Sequence, residues 1–284
     1  MKTLLPAKHV IDADVKASAK AMALRTLQSA FLALLLACAV LLQTHAHAAT
    51  PSGKPTIVLV HGAFAESLSW EGVIERLLAK GYPVVAVANP LRGLRSDSAY
   101  VSNLVGTIPG PVVLVGHSYG GAVISNAAEG KSNVKGLVFV AAFAPESGET
   151  LGELGARFPG STLGSALVSV ALPDGGKDLY VEQAKYHEQV AADVPERVAA
   201  LLAATQRPVA EAAFTDKAGD SAWRELPTRF IYGTADKAIA PPLLAFMARR
   251  AGSKHTVVVQ GASHAVLASH ADEVAALIEE AAAD

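Results

Sequence analysis

The pentapeptide Gly116-His117-Ser118-Tyr119-Gly120 stands directly after the apolar run VVLV (112–115) and directly before a helix-like stretch. A G-x-S-x-G pattern in that position describes a strand-to-helix turn with room only for small residues beside the serine. Such a turn lifts the serine hydroxyl clear of the sheet as a nucleophile. A serine hydroxyl needs a base, and the base needs an acid that orients it. His264, in Gly261-Ala262-Ser263-His264 after the last apolar run, is the expected base. The other histidines beyond residue 48 suit other roles. His61 should hold its own loop by hydrogen bonding and His117 should pack beside the turn. His255 opens a strand at the far end of the sheet, and His270 precedes the final helix. Asp236, in Tyr232-Gly233-Thr234-Ala235-Asp236-Lys237, is the expected acid, with Glu146 in Phe143-Ala144-Pro145-Glu146 as its rival. His61-Gly62-Ala63-Phe64 follows the first apolar run. Backbone N–H groups of Ala63 and Tyr119 would converge on the oxygen of an attacked carbonyl, where negative charge develops.

These groups must be carried by a scaffold that brings loop ends together. Apolar, β-branched runs occur at TIVLV (56–60), PVVAVA (83–88), VVLVG (112–116), VKGLVFVAA (134–142), TRFIYG (228–233) and HTVVVQ (255–260). Runs apolar on both sides are those of a parallel sheet covered by helices on both faces. Helical patterns lie between them at 68–80, 96–108, 119–129, 241–251 and 271–283. The expected fold is therefore α/β, with a mainly parallel six-stranded sheet flanked by helices. About 85 residues between the fourth run and Thr228 show no strong strand pattern, only helix-like segments near 149–157, 177–192, 195–205 and 208–214. That length exceeds an ordinary loop, so a small helical cap over the carboxyl ends of the strands is expected at about 145–226. Phe64, Phe143, Tyr186 and His187 are expected to line a pocket between cap and sheet, with Tyr119 beside them.

The motifs HGAF (61–64), GHSYGG (116–121), YGTADKAIAP (232–241) and GASHAV (261–266) resemble those of the α/β-hydrolase superfamily, in particular the hydroxynitrile lyase / methyl-ester esterase branch and its bacterial esterase relatives. The likeness extends over residues 55–283. It implies Ser118, Asp236 and His264 as a catalytic triad, Ala63 and Tyr119 as oxyanion donors, and no metal or organic cofactor. With the apolar pocket lining expected above, the predicted reaction is hydrolysis of small, mainly apolar acyl or aryl esters through an acyl-enzyme. A thioesterase, lactonase, acyltransferase or perhydrolase would use the same residues. Lyase members of the branch carry threonine where this chain has Gly62 and lysine where it has Ala265, so cyanide-releasing chemistry is disfavoured. A non-catalytic binding protein would be expected to have lost part of the set.

Composition excludes other classes. At 51% hydrophobic and 18% charged residues, the chain has the means to build a core. The single Cys38 excludes a disulfide scaffold and a cysteine zinc site. Residues 25–48 read RTLQSAFLALLLACAVLLQTHAHA, the three-part pattern of a secretory signal ending in Ala46-His47-Ala48. Its apolar core is short of the roughly 20 residues of a membrane span, so no stable span is expected after processing. A start at Met22 would give a leader of conventional length and is the alternative beginning, and cleavage at Cys38 as a lipoprotein is the minor alternative. Beyond residue 48 the chain has 19 basic and 24 acidic residues, opposite to the balance a nucleic-acid binder needs. A small-molecule partner and a periplasmic or secreted location are expected. Mass spectrometry of the secreted protein should find Ala49 at the N-terminus; any other terminus refutes that cleavage site.

Overall fold

The computed structural model describes residues 53–173 and 175–284. The expected leader, with Met22, Cys38 and the Ala48 cleavage site, lies outside the described residues. Along the chain the elements are β1 (Thr56–Val60), α1 (Glu71–Ala79), β2 (Val84–Val87), α2 (Leu94–Gly106), β3 (Val112–His117), α3 (Tyr119–Ala127) and β4 (Val134–Val140). The segment over the strand ends holds α4 (Leu151–Ala156), β5 (Leu167–Ala171), β6 (Lys177–Val181), α5 (Gln183–Val190), α6 (Glu196–Thr205), β7 (Val209–Ala210) and α7 (Ala212–Thr215). The chain closes with β8 (Thr228–Gly233), α8 (Pro241–Arg250), β9 (His255–Val259), α9 (Val266–Ser269) and α10 (Ala271–Ala283).

Six strands form one parallel sheet in the order β2-β1-β3-β4-β8-β9. Every residue of β3 and β8 is buried, which is why both are mainly apolar without alternation; buried Arg229 of β8 is paired with Asp284 at 2.9 Å. Phe139 of β4 and Phe230 of β8 stack with ring centres 4.4 Å apart. The helices cover both faces with amphipathic stripes. In α10 the buried positions Val274, Leu277, Ile278 and Ala281 follow the spacing of one helical face. Pro241 and Pro242 open α8, where a missing N–H costs nothing.

The covering segment differs from expectation in one respect. It is not wholly helical: β5, β6 and β7 form a separate three-stranded antiparallel sheet. The span 177–192 divides at Glu182 into a strand and a helix. Lys177–Val181 pairs with β5 over its whole length, and its Tyr and Val residues favour that extended form. The turn before it is closed by Leu172 N–H donating to Gly176 O at 2.8 Å.

Strand order reverses between β1 and β3, so the loops leaving their carboxyl ends part and open a crevice, the usual ligand position in such sheets. The turn after β3 enters it. Ser118 has φ 54° and ψ −122°, a strained conformation for a residue with a side chain. The turn requires glycine on both sides. A Cβ at Gly116 would lie 2.5 Å from Gly120 O, and one at Gly120 would lie 2.3 Å from Val60 O. Gly120→Ala should therefore lose about 3 kcal/mol, a Tm fall of roughly 6–12 °C in thermal unfolding. Gly106→Ala, whose new carbon meets only Lys131 Nζ at 3.6 Å, should leave Tm unchanged or higher. Equal Tm values for the two variants would contradict the packing described.

Candidate active site

Three loops at the carboxyl edge of the sheet carry Ser118, Asp236 and His264. The turn after β3 holds Ser118 through its N–H to Val140 O (3.2 Å), while its carbonyl accepts from Gly121 N–H and Phe143 N–H, both at 3.1 Å. The loops after β8 and β9 run side by side, joined by Thr234 N–H to Val259 O and Ala235 N–H to Ala262 O, each 3.0 Å. This pairing puts Asp236 Oδ2 2.7 Å from His264 Nδ1, with both side chains almost wholly buried. The second oxygen of Asp236 accepts from Ala238 N–H (2.8 Å) and Ile239 N–H (2.9 Å). An ionised carboxylate only accepts, so Nδ1 of His264 carries the proton and Nε2 is left bare to take one. Ser118 and His264 open on the same cavity. Glu146 is engaged elsewhere: Arg224 donates to both its oxygens at 2.7 and 2.5 Å and holds its carboxyl below the usual range.

The loop after β1 stands over the serine. A Cβ at Gly62 would lie 2.6 Å from Ser118 Cβ and 2.9 Å from His117 O, so the backbone can cross here only as glycine. Ala63 follows immediately and lines the Ser118 cavity. Tyr119, at the start of α3, presents its N–H at a helix N-terminus, where the partial charge is positive. Ala63 and the start of α3 thus flank Ser118.

The cavity at Ser118 has a volume of about 70 Å³. Phe64 and Phe143 line it, as the sequence led one to expect, together with Leu163, Val190, Phe214 and Ile239. Tyr186 and His187 are not among its lining residues, and that expectation is corrected. Tyr186 is 2% exposed and its hydroxyl donates to Phe64 O at 2.9 Å. His187 Nε2 lies 2.9 Å from Val194 O. The Tyr119 ring also turns away, its hydroxyl donating to buried Asp97 Oδ2 at 2.8 Å. Burial and the Asp97 charge push that phenol well above its ordinary pKa. Phe214 and Val190 sit in segments already read as helix-like, but which face meets the serine depends on how the cap folds back. Leu163 has no local signal at all.

The helix α5 holds the loops after β1, β8 and β9. Besides Tyr186, Glu188 pairs with Lys237 at 3.0 Å, beside Asp236. Val190 O accepts from Ala265 N–H (2.9 Å) and Ser263 Oγ (3.1 Å), the two neighbours of His264. Among the described residues there is no cluster of three His, Cys, Asp or Glu side chains able to hold a metal ion.

With this geometry in hand, comparison with known proteins is informative. Residues 57–277 match the family described as "Alpha/beta hydrolase family". The chain is similar to "Alpha/beta hydrolase nvfD" of Aspergillus novofumigatus (strain IBT 16806), at 28% identity over 252 residues, covering 81% of this chain and 98% of the relative. It is 31% identical over 107 residues to the "Carbendazim hydrolyzing esterase" of Nocardioides sp. (strain SG-4G), a match covering 33% of this chain and 44% of that one. Among solved structures it superposes on polyneuridine aldehyde esterase with a TM-score of 0.69 at 20% identity, over 80% of this chain and 99% of that one. A pyrethroid hydrolase from Sphingobium faniae JZ-2 gives 0.64 at 21% identity, over 81% and 97%.

Two further histidines frame the site and take no proton. His61 donates from Nδ1 to Gly62 O (2.9 Å) and accepts Asn89 N–H at Nε2 (3.1 Å), while Asn89 Nδ2 returns a bond to His61 O (3.0 Å). Burial lowers its pKa to about 4. His117 Nε2 faces His264 O at 3.0 Å and so carries the proton; its Nδ1 is buried without a partner. Burial, then the neighbouring His264, hold His117 well below its ordinary range. Both are depressed on folding, so the unfolded chain binds more protons below pH 6.5 and stability falls with pH from there to about 4. Each histidine contributes a slope of up to about 1.4 kcal/mol per pH unit. Tm should drop steadily between pH 6.5 and 4.5, and less steeply in His117→Gln. Parallel Tm profiles for the two proteins would refute the buried neutral state of His117.

Proposed function

Since the chain belongs to the alpha/beta hydrolase family, we propose that it is a serine esterase, cleaving carboxylic esters of small, mainly apolar acyl or aryl compounds through an acyl-enzyme. The observation that carries this reading is the Asp236–His264 hydrogen bond of 2.7 Å, with His264 and Ser118 opening on one cavity. In this reading His264 Nε2 takes the Ser118 proton as the hydroxyl oxygen attacks the ester carbonyl. Asp236 holds the imidazole in the required tautomer and favours its cation. The amides of Ala63 and Tyr119 receive the oxyanion. His264 then protonates the leaving alcohol. A water, deprotonated by His264, attacks the acyl carbonyl and releases the acid and the free serine. The family membership and the relatives named as esterases or hydrolases lean the same way.

Two observations weigh against the cyanide-releasing chemistry of the related lyases. No side chain fits at Gly62 without displacing Ser118. At the position after the base, Ala265 is 4% exposed, and its N–H is bound to Val190 O. A cation there would lose its hydration without gaining a partner. We propose also that the protein acts outside the cytoplasm, after removal of its leader.

Release of p-nitrophenol from p-nitrophenyl acetate tests the reading. Ser118→Ala should cut kcat by about 10³-fold or more, and Asp236→Asn by a similar order, with Tm preserved in the serine variant. Glu146→Ala should stay within a few-fold of wild type. Undiminished turnover by a folded Ser118→Ala protein would refute the serine mechanism.

A further inference from the structure

We propose that an apolar chamber beside the reaction cavity binds an uncharged hydrocarbon chain or ring of the substrate, and that Gly155 keeps it open. This rests on the esterase reading and extends it from small esters to those bearing one long or bulky apolar arm. The cavity at Ser118, at about 70 Å³, is too small for a ring; a cavity of roughly 150 Å³ is what holds a benzene. Any larger group on the reacting ester must therefore project out of it. The neighbouring chamber measures about 330 Å³, roughly twice that benzene-sized volume. The two spaces share the walls Phe64, Phe143, Leu163, Phe214 and Ile239, so a group leaving the first enters the second.

The chemistry of the lining selects the occupant. Beyond the shared walls it presents Leu151, Phe158, Leu167 and Leu243. Ser161 is its one polar side chain, and its hydroxyl is already engaged with Ala238 O (2.9 Å) and Lys237 O (3.2 Å). Nearby charges are paired off: Arg250 and Arg157 both bind Glu149 Oε1, at 2.8 and 2.9 Å. A charged or strongly hydrated group would lose water here and find no partner, whereas a hydrocarbon loses nothing. Aromatic packing fixes the outer wall, with Phe158 and Phe246 ring centres 5.0 Å apart.

Glycine placement points the same way. The six-residue α4 reads LGELGA, and each glycine inside a helix costs about 1 kcal/mol relative to alanine. Both glycines of α4 line the chamber, and a Cβ added at Gly155 meets no atom within 4 Å. Backbone packing does not require glycine at 155, and its φ is not in the left-handed region. What the missing side chain leaves is space in the chamber.

The test compares wild type with Gly155→Leu on two series. One lengthens the acid side, from p-nitrophenyl butyrate to p-nitrophenyl octanoate; the other lengthens the alcohol side, from butyl to octyl acetate. In the series whose arm enters the chamber, wild-type kcat/KM should rise by about two- to four-fold per methylene. Gly155→Leu should lower the octyl-length substrate by at least about ten-fold and leave the butyl-length one within a few-fold. The series so affected identifies which arm the chamber takes. Identical length profiles for both proteins in both series would overturn the proposal. Binding of 1-octanol, followed as a rise in Tm, checks the chamber without chemistry. A rise in wild type that Gly155→Leu abolishes supports the chamber even if no ester is turned over, an outcome that would sink only the esterase reading. No rise in wild type overturns the chamber.

Discussion

The constraint on which the serine turn depends is the approach of the start of α3 to the end of β1. Val60 O would stand 2.3 Å from any Cβ at position 120, so the helix seats against the strand only through bare backbone. That contact fixes where α3 begins and forces Ser118 into its unfavourable φ. Strain of this kind costs on the order of 1–3 kcal/mol and survives only where surrounding structure over-determines it. Here the surroundings are the buried central strands β1, β3 and β4 and three backbone hydrogen bonds to Ser118 itself. The same contact presses the β1 loop down on the serine, which explains Gly62 and the position of Ala63.

The segment between β4 and β8 does more than extend the chain. Its helix α5 reaches the loops after β1, β8 and β9 through Tyr186, Glu188 and Val190. The two bonds to Val190 O matter most, because they hold the residues on either side of His264. The exposed Glu188–Lys237 pair is worth little by itself; the buried bonds of Tyr186 and Val190 orient the loops.

Much of this was legible in the sequence, for identifiable reasons. The central strands declare themselves because burial on both faces leaves mainly apolar residues, and β1 and β8 begin and end where those runs do. Ser118, Asp236 and His264 were legible because each lies within a few residues of a strand end, where chain order settles position. The cap was not. Its antiparallel strands are short and half-exposed, so their pattern is weak, and one amphipathic stretch passed for a single helix across Glu182. The pocket side of α5 was misjudged for the same reason: Tyr186 is an aromatic on an amphipathic helix, and only tertiary contact decides that its hydroxyl braces Phe64 O. Phe64 and Phe143 could be placed because they follow β1 and β4 directly.

The bond from His117 Nε2 to His264 O spans 147 positions of sequence. It joins the residue before Ser118 to the backbone of His264, across β4 and β8 in the sheet. No local segment can assemble this pair, since β9 lies at the sheet edge, separated from β3 by β4 and β8. Contacts of such sequence separation carry a high loop-closure cost. The strained serine turn is carried by the first four strands, whereas His264 follows the last strand, β9. Under the serine mechanism proposed above, activity therefore draws on the whole width of the sheet.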